Sequence, residues 1–409
     1  MTAVDHTMGS RLTAARVLVT DATLADGHSP TLVPGVWLLA EHGTVTGLWT
    51  EGDHPDPRSL GDVTVIDGAG TAIVPGMVDS HAHVSMPGGA RWIERGGDPL
   101  EELLAVGEEN AELMLHAGIR WARDVGSPRR LDPKSGDERA VSLLLRNRWQ
   151  GRQDRPYIRA AGTWVSRKGA LPDGLTVEVE HGADLIGAVR QQLDEGADLV
   201  KLYLDGPDPD TAPFTVSEVS AAVQAAHDRG ATVAAHATAL AGNRVGAEAG
   251  VDSLEHAYEL DDDTVALMKA GGVAMVATLS VLYSWSTFAQ TTAIPRFTEA
   301  DARRRIQDRQ EIARASVRLA DAGGVTIAAG SDFGGGSLRA NQLAWEVEAL
   351  VAAGVSPQTA LAAVTWRGGD LLGIPHAGRL RVGDPAHFSL VHGDPLSDPT
   401  ALWRVWLTR

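Results

Sequence analysis

Cysteine is absent from the 409 residues. That gap removes disulfides, cysteine-held iron–sulfur clusters, thiolate zinc sites and a cysteine nucleophile together. Any metal must then be held by histidine, carboxylate or something rarer. Positive charge is scarce as well: 36 Lys plus Arg stand against 53 Asp plus Glu, a formal net charge of −17. Nucleic-acid affinity rests on clustered Lys and Arg that neutralise phosphates. The longest basic run is Arg303-Arg304-Arg305, so no nucleic-acid partner is expected. Long apolar runs are missing too. Nothing approaches the roughly 20 consecutive apolar residues that span a bilayer. Residues 1–19, interrupted by Asp5, His6, Arg11 and Arg16, contain no apolar core of a signal peptide. A cytoplasmic protein with no membrane partner is expected. Nor is there a G-x-S-x-G elbow, an H-E-x-x-H helix or a P-loop, so serine-hydrolase, zincin and nucleotide-driven chemistries lack support.

What is present describes a globular chain with a large core: 44% apolar and 22% charged residues, with 45 Gly. Residues 16–67 consist of short β-rich runs such as Val17-Leu18-Val19-Thr20 and Val36-Trp37-Leu38-Leu39, separated by Gly, Pro and Asp. From Ala72 the pattern changes to strand, loop, helix, repeated. Apolar runs of strand length recur at 72–78, 119–125, 157–161, 198–204, 232–235, 253–256, 273–279 and 325–329, with amphipathic helical patterns between most of them. One helix is expected over 99–117, with Asp98 as N-cap and Gly118 past its end, and another over 216–229. Eight such strands favour an α/β fold of the (β/α)8 TIM-barrel type over an open doubly wound sheet, although periodicity leaves closure open. After Gly373 the β pattern returns at 378–384 and 387–392. The expected partition is therefore 1–71 and 374–409 as the two parts of one small β-sandwich, with the barrel at 72–373.

The strongest local signal is Asp79-Ser80-His81-Ala82-His83. Residues two apart on a strand share a face, so His81 and His83 aim their imidazoles into one space, an arrangement that suits a divalent metal. Lys201 lies inside the apolar run Leu199-Val200-Lys201-Leu202-Tyr203-Leu204. A buried unpaired ammonium is costly, so this lysine demands a partner or a chemical change. Carbamylation by carbon dioxide would supply that change, giving an anion with two oxygens able to bridge metals. His236, His256 and Asp332 each follow a predicted strand, on the side where barrel enzymes gather their catalytic groups. His116 and His227 sit in helical patterns and read as structural.

The order HxH, Lys, His, His, Asp resembles the metal-dependent amidohydrolase superfamily. Within it, the chain is most similar to the imidazolonepropionase-like and prolidase-like group that carries a carboxylated lysine. The likeness extends to Val65-Ile66-Asp67-Gly68-Ala69-Gly70, Val74-Pro75-Gly76-Met77-Val78-Asp79, Arg123-Asp124-Val125-Gly126, Gly383-Asp384-Pro385-Ala386 and Gly393-Asp394-Pro395-Leu396. The resemblance implies a two-metal site. His81, His83 and Asp332 would hold one ion and His236 and His256 the other, with carboxylated Lys201 and a hydroxide between them. Zinc leads as the metal, and manganese or another divalent ion also fits. It further implies hydrolysis of an amide-type C–N bond in a small molecule, such as a dipeptide, N-acyl amino acid, cyclic amide or carbamate, with Asp332 as general acid and base. Deamination or lactone opening on the same site is the first alternative, and a non-catalytic homologue the second. A homo-oligomer is compatible with the sequence.

For substrate contacts the candidates are Tyr203, on the strand face shared with Lys201, and Arg167 and Lys168, which could meet an anionic group. Tyr283 is a fourth, from the aromatic stretch Tyr283-Ser284-Trp285-Ser286-Thr287-Phe288. That stretch reads either as a pocket wall or as packing against the helix expected over 299–322. Dipeptidase-like members carry a Gly-Gly-His loop after the third strand. Here Val165-Ser166-Arg167-Lys168-Gly169-Ala170 has no histidine, a departure from the plain dipeptidase pattern.

Overall fold

The computed structural model describes residues 10–50, 52–172, 174–206, 208 and 210–409. The first nine residues of the stretch read for a signal peptide lie outside this set. Eight parallel strands form the barrel: β1 (Met77–Ala82), β2 (Ile119–Asp124), β3 (Tyr157–Ala160), β4 (Leu199–Tyr203), β5 (Thr232–Ala237), β6 (Ser253–His256), β7 (Ala274–Ala277) and β8 (Ile327–Ala329). β1 pairs with β2 and β2 with β3, while β4 to β8 pair successively. Asp198 N donates to Ala160 O at 2.9 Å, joining β3 to the β4 side. A parallel bridge between Ala82 and Phe333 links β1 to the segment leaving β8. The ring is therefore closed, and the open-sheet alternative falls. Strands buried on both faces read as continuous apolar runs rather than alternating ones, which is why these segments are rich in Ala, Val, Leu and Ile.

The chain ends meet in a mixed eight-stranded sheet. Phe388–His392 runs antiparallel to Thr71–Pro75, with Leu390 opposite Ile73, and Thr71–Pro75 lies beside Arg16–Leu24. Its core includes Val17, Val19, Leu38, Ile73, Phe388 and Leu390, all fully buried. Two expectations change here. The run expected as one strand over 72–78 is split at Gly76, where a Cβ would press on Trp121 and Arg120. Thr71–Pro75 joins the terminal sheet and Met77–Ala82 the barrel. The β run expected over 378–384 is a series of turns, because Gly378 and Gly383 adopt φ of 67° and 96°, a region that interrupts a strand.

The aromatic stretch after β7 belongs to a helix, Leu279–Thr291, which packs on the long helix Ala300–Ala322. The first helix has no side-chain cap of its own. Glu346, fully buried on the helix Leu343–Ala353, takes that role by accepting from Leu279 N at 2.8 Å and Ser280 N at 2.7 Å. Among the described residues no helix is long and apolar enough to cross a membrane.

Burial pushes the Glu346 carboxyl from 4.5 up to about 7 even against those hydrogen bonds. A raised carboxyl pKa means that the folded state binds a proton the unfolded chain releases. The group's contribution is therefore complete below about 4.5 and lost as pH rises through about 7. Glu346→Gln should flatten part of the decline in Tm between pH 4.5 and 7.5, read by calorimetry. Identical slopes in the two proteins would contradict the assignment.

Candidate metal centre and active site

All six residues read as ligands from sequence line one cavity of about 240 Å³ at the C-terminal ends of the barrel strands: His81, His83, Lys201, His236, His256 and Asp332. His81 is the penultimate residue of β1 and His83 follows the strand. The Nδ1 of His81 lies 2.6 Å from Glu255 Oε2, and that of His83 2.7 Å from Gly126 O. Each ring is thus oriented by its Nδ1, leaving Nε2 toward the cavity. The two Nε2 atoms stand 3.5 and 3.4 Å from the same Asp332 oxygen. Ligand atoms of His81, His83 and Asp332 all fall within 4.8 Å of one another. Burial, followed by the charge of Lys201, holds His81 well below its ordinary pKa, and burial followed by His236 does the same for His256. Both are therefore neutral imidazoles, the form that binds metal.

Across the cavity the His236 and His256 rings lie 4.6 Å apart, and His256 is 4.6 Å from His81. His256 Nδ1 contacts Thr278 Oγ1 at 2.7 Å, and His236 Nε2 contacts Asp205 Oδ2 at 3.1 Å. Tyr203 stacks on His236 at 3.9 Å. Lys201 is 1% exposed, and its Nζ has no hydrogen-bond partner. Burial lowers its pKa to about 8. An orphaned buried amine in a cavity lined by four imidazoles is costly by itself. The donor set and this orphan fit a divalent metal centre.

The backbone is strained where the site is built. His256, Ala257 and Asp332 adopt φ of 69°, 46° and 54°, left-handed values that non-glycine residues hold only when their surroundings over-determine them. Asp332 N donates to His81 O at 2.9 Å, and Ser331 gives both its N–H and its hydroxyl to Asp79. Glycines make room around them. A Cβ at Gly330 would overlap the His81 backbone, and one at Gly335 the His83 ring.

Several functional residues escaped the sequence reading. Glu255 is fully buried and serves three groups: His81, the Arg123 guanidinium at 2.5 Å and Ser253 Oγ at 2.6 Å. Arg123, which attracted notice only as part of a motif, also bonds Ser80 O at 2.7 Å and Ser253 Oγ at 2.9 Å. A lone glutamate in a four-residue barrel strand was the available signal. Asp205 and Thr278, which orient His236 and His256, carried none.

The proposed substrate contacts fare unevenly. Tyr203 lines the cavity. Arg167 and Lys168 do not, because Lys168 is exposed and paired with Glu180. The same loop contributes Trp164, Leu171, Pro172 and Leu175 instead. Tyr283 is absent from the lining, and Trp285 takes its place. Two residues on a helix differ by about 200° in direction, so neighbours two apart seldom share a face.

Comparison with known proteins agrees with this geometry. The amidohydrolase family model matches residues 72–406. An uncharacterized protein of Mycobacterium tuberculosis is 32% identical over 340 residues, covering 81% of this chain and 82% of its own. Imidazolonepropionase of Anaeromyxobacter dehalogenans is 26% identical over 425 residues, covering 93% and 90%. Among solved structures, a Xaa-Pro dipeptidase with methionine bound in its active site superposes with a TM-score of 0.79 at 24% identity, over 95% of this chain and 97% of that one.

Replacing Glu255 with Gln should leave Arg123 buried without its counter-charge and His81 without its anchor. The expected result is about 3–5 kcal/mol of lost stability in denaturant unfolding. Divalent-metal affinity should fall about 10- to 100-fold in competition with a chelator. Unchanged metal affinity would show that His81 needs no such anchor.

Proposed function

The chain belongs to the amidohydrolase family, whose members are hydrolases acting on C–N bonds, and on that footing we propose that it cleaves an amide-type C–N bond of a small molecule with a two-metal centre. The observation that carries this reading is the cavity itself. Four histidines, the Asp332 and Asp205 carboxylates and an orphaned buried lysine converge in it. His81, His83 and Asp332 would hold one divalent ion and His236 and His256 the second, with Lys201 contributing as a carbamate. Zinc is the proposed metal. When bound, such ions supply Lewis acidity and make water acidic enough to act as a nucleophile near neutral pH.

The remaining work falls to the chain. Asp332 accepts the proton of the attacking water and returns it to the departing nitrogen, a role open to a carboxylate fixed by its strained backbone and by Gly336 N, which donates to Asp332 O at 2.8 Å. Burial raises the Tyr203 phenol, which therefore stays protonated as a donor to a substrate carbonyl or carboxylate oxygen. Carbamate formation needs a neutral amine, and a lysine lowered to about 8 offers one far more often than a solvated lysine does. Trp164, Leu171, Pro172 and Leu175 form the apolar wall that limits water.

The test is a panel of N-acyl amino acids, dipeptides, cyclic amides, carbamates, lactones and amino-substituted heterocycles, scored for amine, carboxylate and ammonia release. Amine and carboxylate release from the amide members is expected. Ammonia from the heterocycles alone would replace this function by deamination. Asp332→Asn should lower kcat at least about 100-fold while most of the metal stays bound, and full activity would remove Asp332 from the chemistry. Lys201 is tested separately. Protein loaded in labelled bicarbonate should show a carbamate carbon by NMR that is absent from Lys201→Met, and its absence from the wild-type protein would sink the carbamate.

A further inference from the structure

Two cavities lie at the mouth of the barrel: the one lined by the candidate ligands and an outer one of about 450 Å³ that shares Trp92, Ile93 and Trp285 with it. A third, of about 670 Å³, lies at the opposite end, where the terminal sheet meets the first residues of β2 and β3. Its wall includes Arg120, the second residue of β2, and Tyr157, the first of β3, together with Arg11, His387 and Arg409 from the terminal segments. In a chain of net charge −17 this lining is basic. Among the described residues three guanidiniums share it with one carboxylate, Asp154, which is already bonded to Arg152 at 2.7 Å and to Arg155 at 3.2 Å. Arg120 is 4% exposed. Its Nε donates to His387 Nε2 at 3.3 Å and its guanidinium lies 4.7 Å from the centre of the Tyr157 ring, yet its Nη2 is buried without a hydrogen-bond partner. Neither neighbour supplies a counter-charge to it: one is a ring face, and the other is an imidazole that burial, followed by the charge of Arg120, pushes down to about 2 and keeps neutral. Arg11 and Arg409 are half-buried and bond backbone carbonyls, Arg11 that of Gln153 at 3.4 Å and Arg409 those of Ala14 at 2.8 Å and Ala15 at 3.4 Å. None of the three arginines makes an ion pair among the described residues. Their charges are close enough to be felt in common, since Arg11 acts on Arg120, and Arg120 and Arg409 both act on His387.

We infer that this third cavity binds a small, multiply charged oxyanion, a phosphate ester or a polycarboxylate, gripped by the unpartnered Nη2 of Arg120 and flanked by Arg11 and Arg409. A guanidinium taken out of water without a counter-charge is expensive, and the described residues provide none, so the missing charge comes from a ligand. The fork of a guanidinium matches either kind of group, and it is never neutral. A volume of about 670 Å³ is more than inorganic phosphate needs and leaves room for an organic part beside the Tyr157 ring. A locally positive recess on an acidic protein also concentrates anions. The occupant is held at the end of the barrel away from the candidate metal centre, so the site is independent of the reaction proposed above.

The experiment titrates the metal-loaded protein with phenyl phosphate and with benzene-1,3,5-tricarboxylate in a calorimeter, at an ionic strength held constant with sodium chloride. At least one of them should bind with a Kd below about 1 mM. Arg120→Met, which keeps an unbranched side chain but removes the charge, should weaken that binding by about ten- to a hundredfold. Tighter binding of phenyl phosphate assigns phosphate esters to the site, and tighter binding of the tricarboxylate assigns polycarboxylic acids; either result upholds it. Should Arg120→Met not fold, the double variant Arg11→Gln/Arg409→Gln, at half-buried positions, takes its place with a loss of at least about tenfold expected. Binding of neither anion by the wild-type protein overturns the proposal. So does binding that the substitutions leave unchanged, the result expected if the anions sit on the metal ions instead.

Discussion

Three strands of the barrel meet on the carboxylate of Glu255. From β6 it holds the His81 imidazole of β1 with one oxygen and the Arg123 guanidinium of β2 with the other, in a setting without solvent. A buried ion pair of this kind contributes little net stability when complete, because desolvation offsets most of the attraction, yet it is expensive to break. Its value lies in fixing geometry. Arg123 also grips Ser80 O beside His81, so the ligand strand is held through both its backbone and its ring. The histidine nitrogen left facing the cavity is determined by this arrangement, and the other candidate ligands line the same cavity.

The same strand explains what sequence reasoning could and could not see. His81 and His83 were legible because β-strand alternation puts residues two apart on one face. Lys201 was legible because a cation interrupts an apolar run. Glu255 and His256 are consecutive, and alternation assigns them to opposite faces. The left-handed φ of 69° at His256 breaks that rule and brings both inside. No periodicity announces such a break. The split at Gly76 is of the same kind, since an apolar run does not reveal that two sheets share it. Arg167, Lys168 and Tyr283 were misplaced because the direction of a loop or helix residue depends on packing that composition does not encode. The barrel and the convergence of the six candidate residues on one cavity were thus readable, whereas the groups that orient their rings and line the rest of the cavity were not.

The cavity system joins two chemically different rooms. The inner one concentrates four imidazoles and the constrained Asp332 carboxylate. The outer one offers aromatic walls and arginines supplied by the segment between β7 and β8. That segment contains the helices Leu279–Thr291 and Ala300–Ala322 and is anchored from beneath by Glu346. The candidate ligands therefore come from the strand ends and the walls of the outer room from an added helical layer, an arrangement that lets barrel loops vary without disturbing the residues at the strand ends.

The pairing of Phe388–His392 with Thr71–Pro75 has a consequence for how the molecule comes into being. The strand leading into His81 is flanked by a partner more than three hundred residues later in the chain. A growing polypeptide can assemble βα units as they emerge, but the entrance to its first barrel strand, with Arg16–Leu24 already on one side, lacks its other neighbour until residues 388–392 have been made. Phe388–His392 thus acts as a latch on the entrance to the barrel, one that closes only after all eight barrel strands have been made.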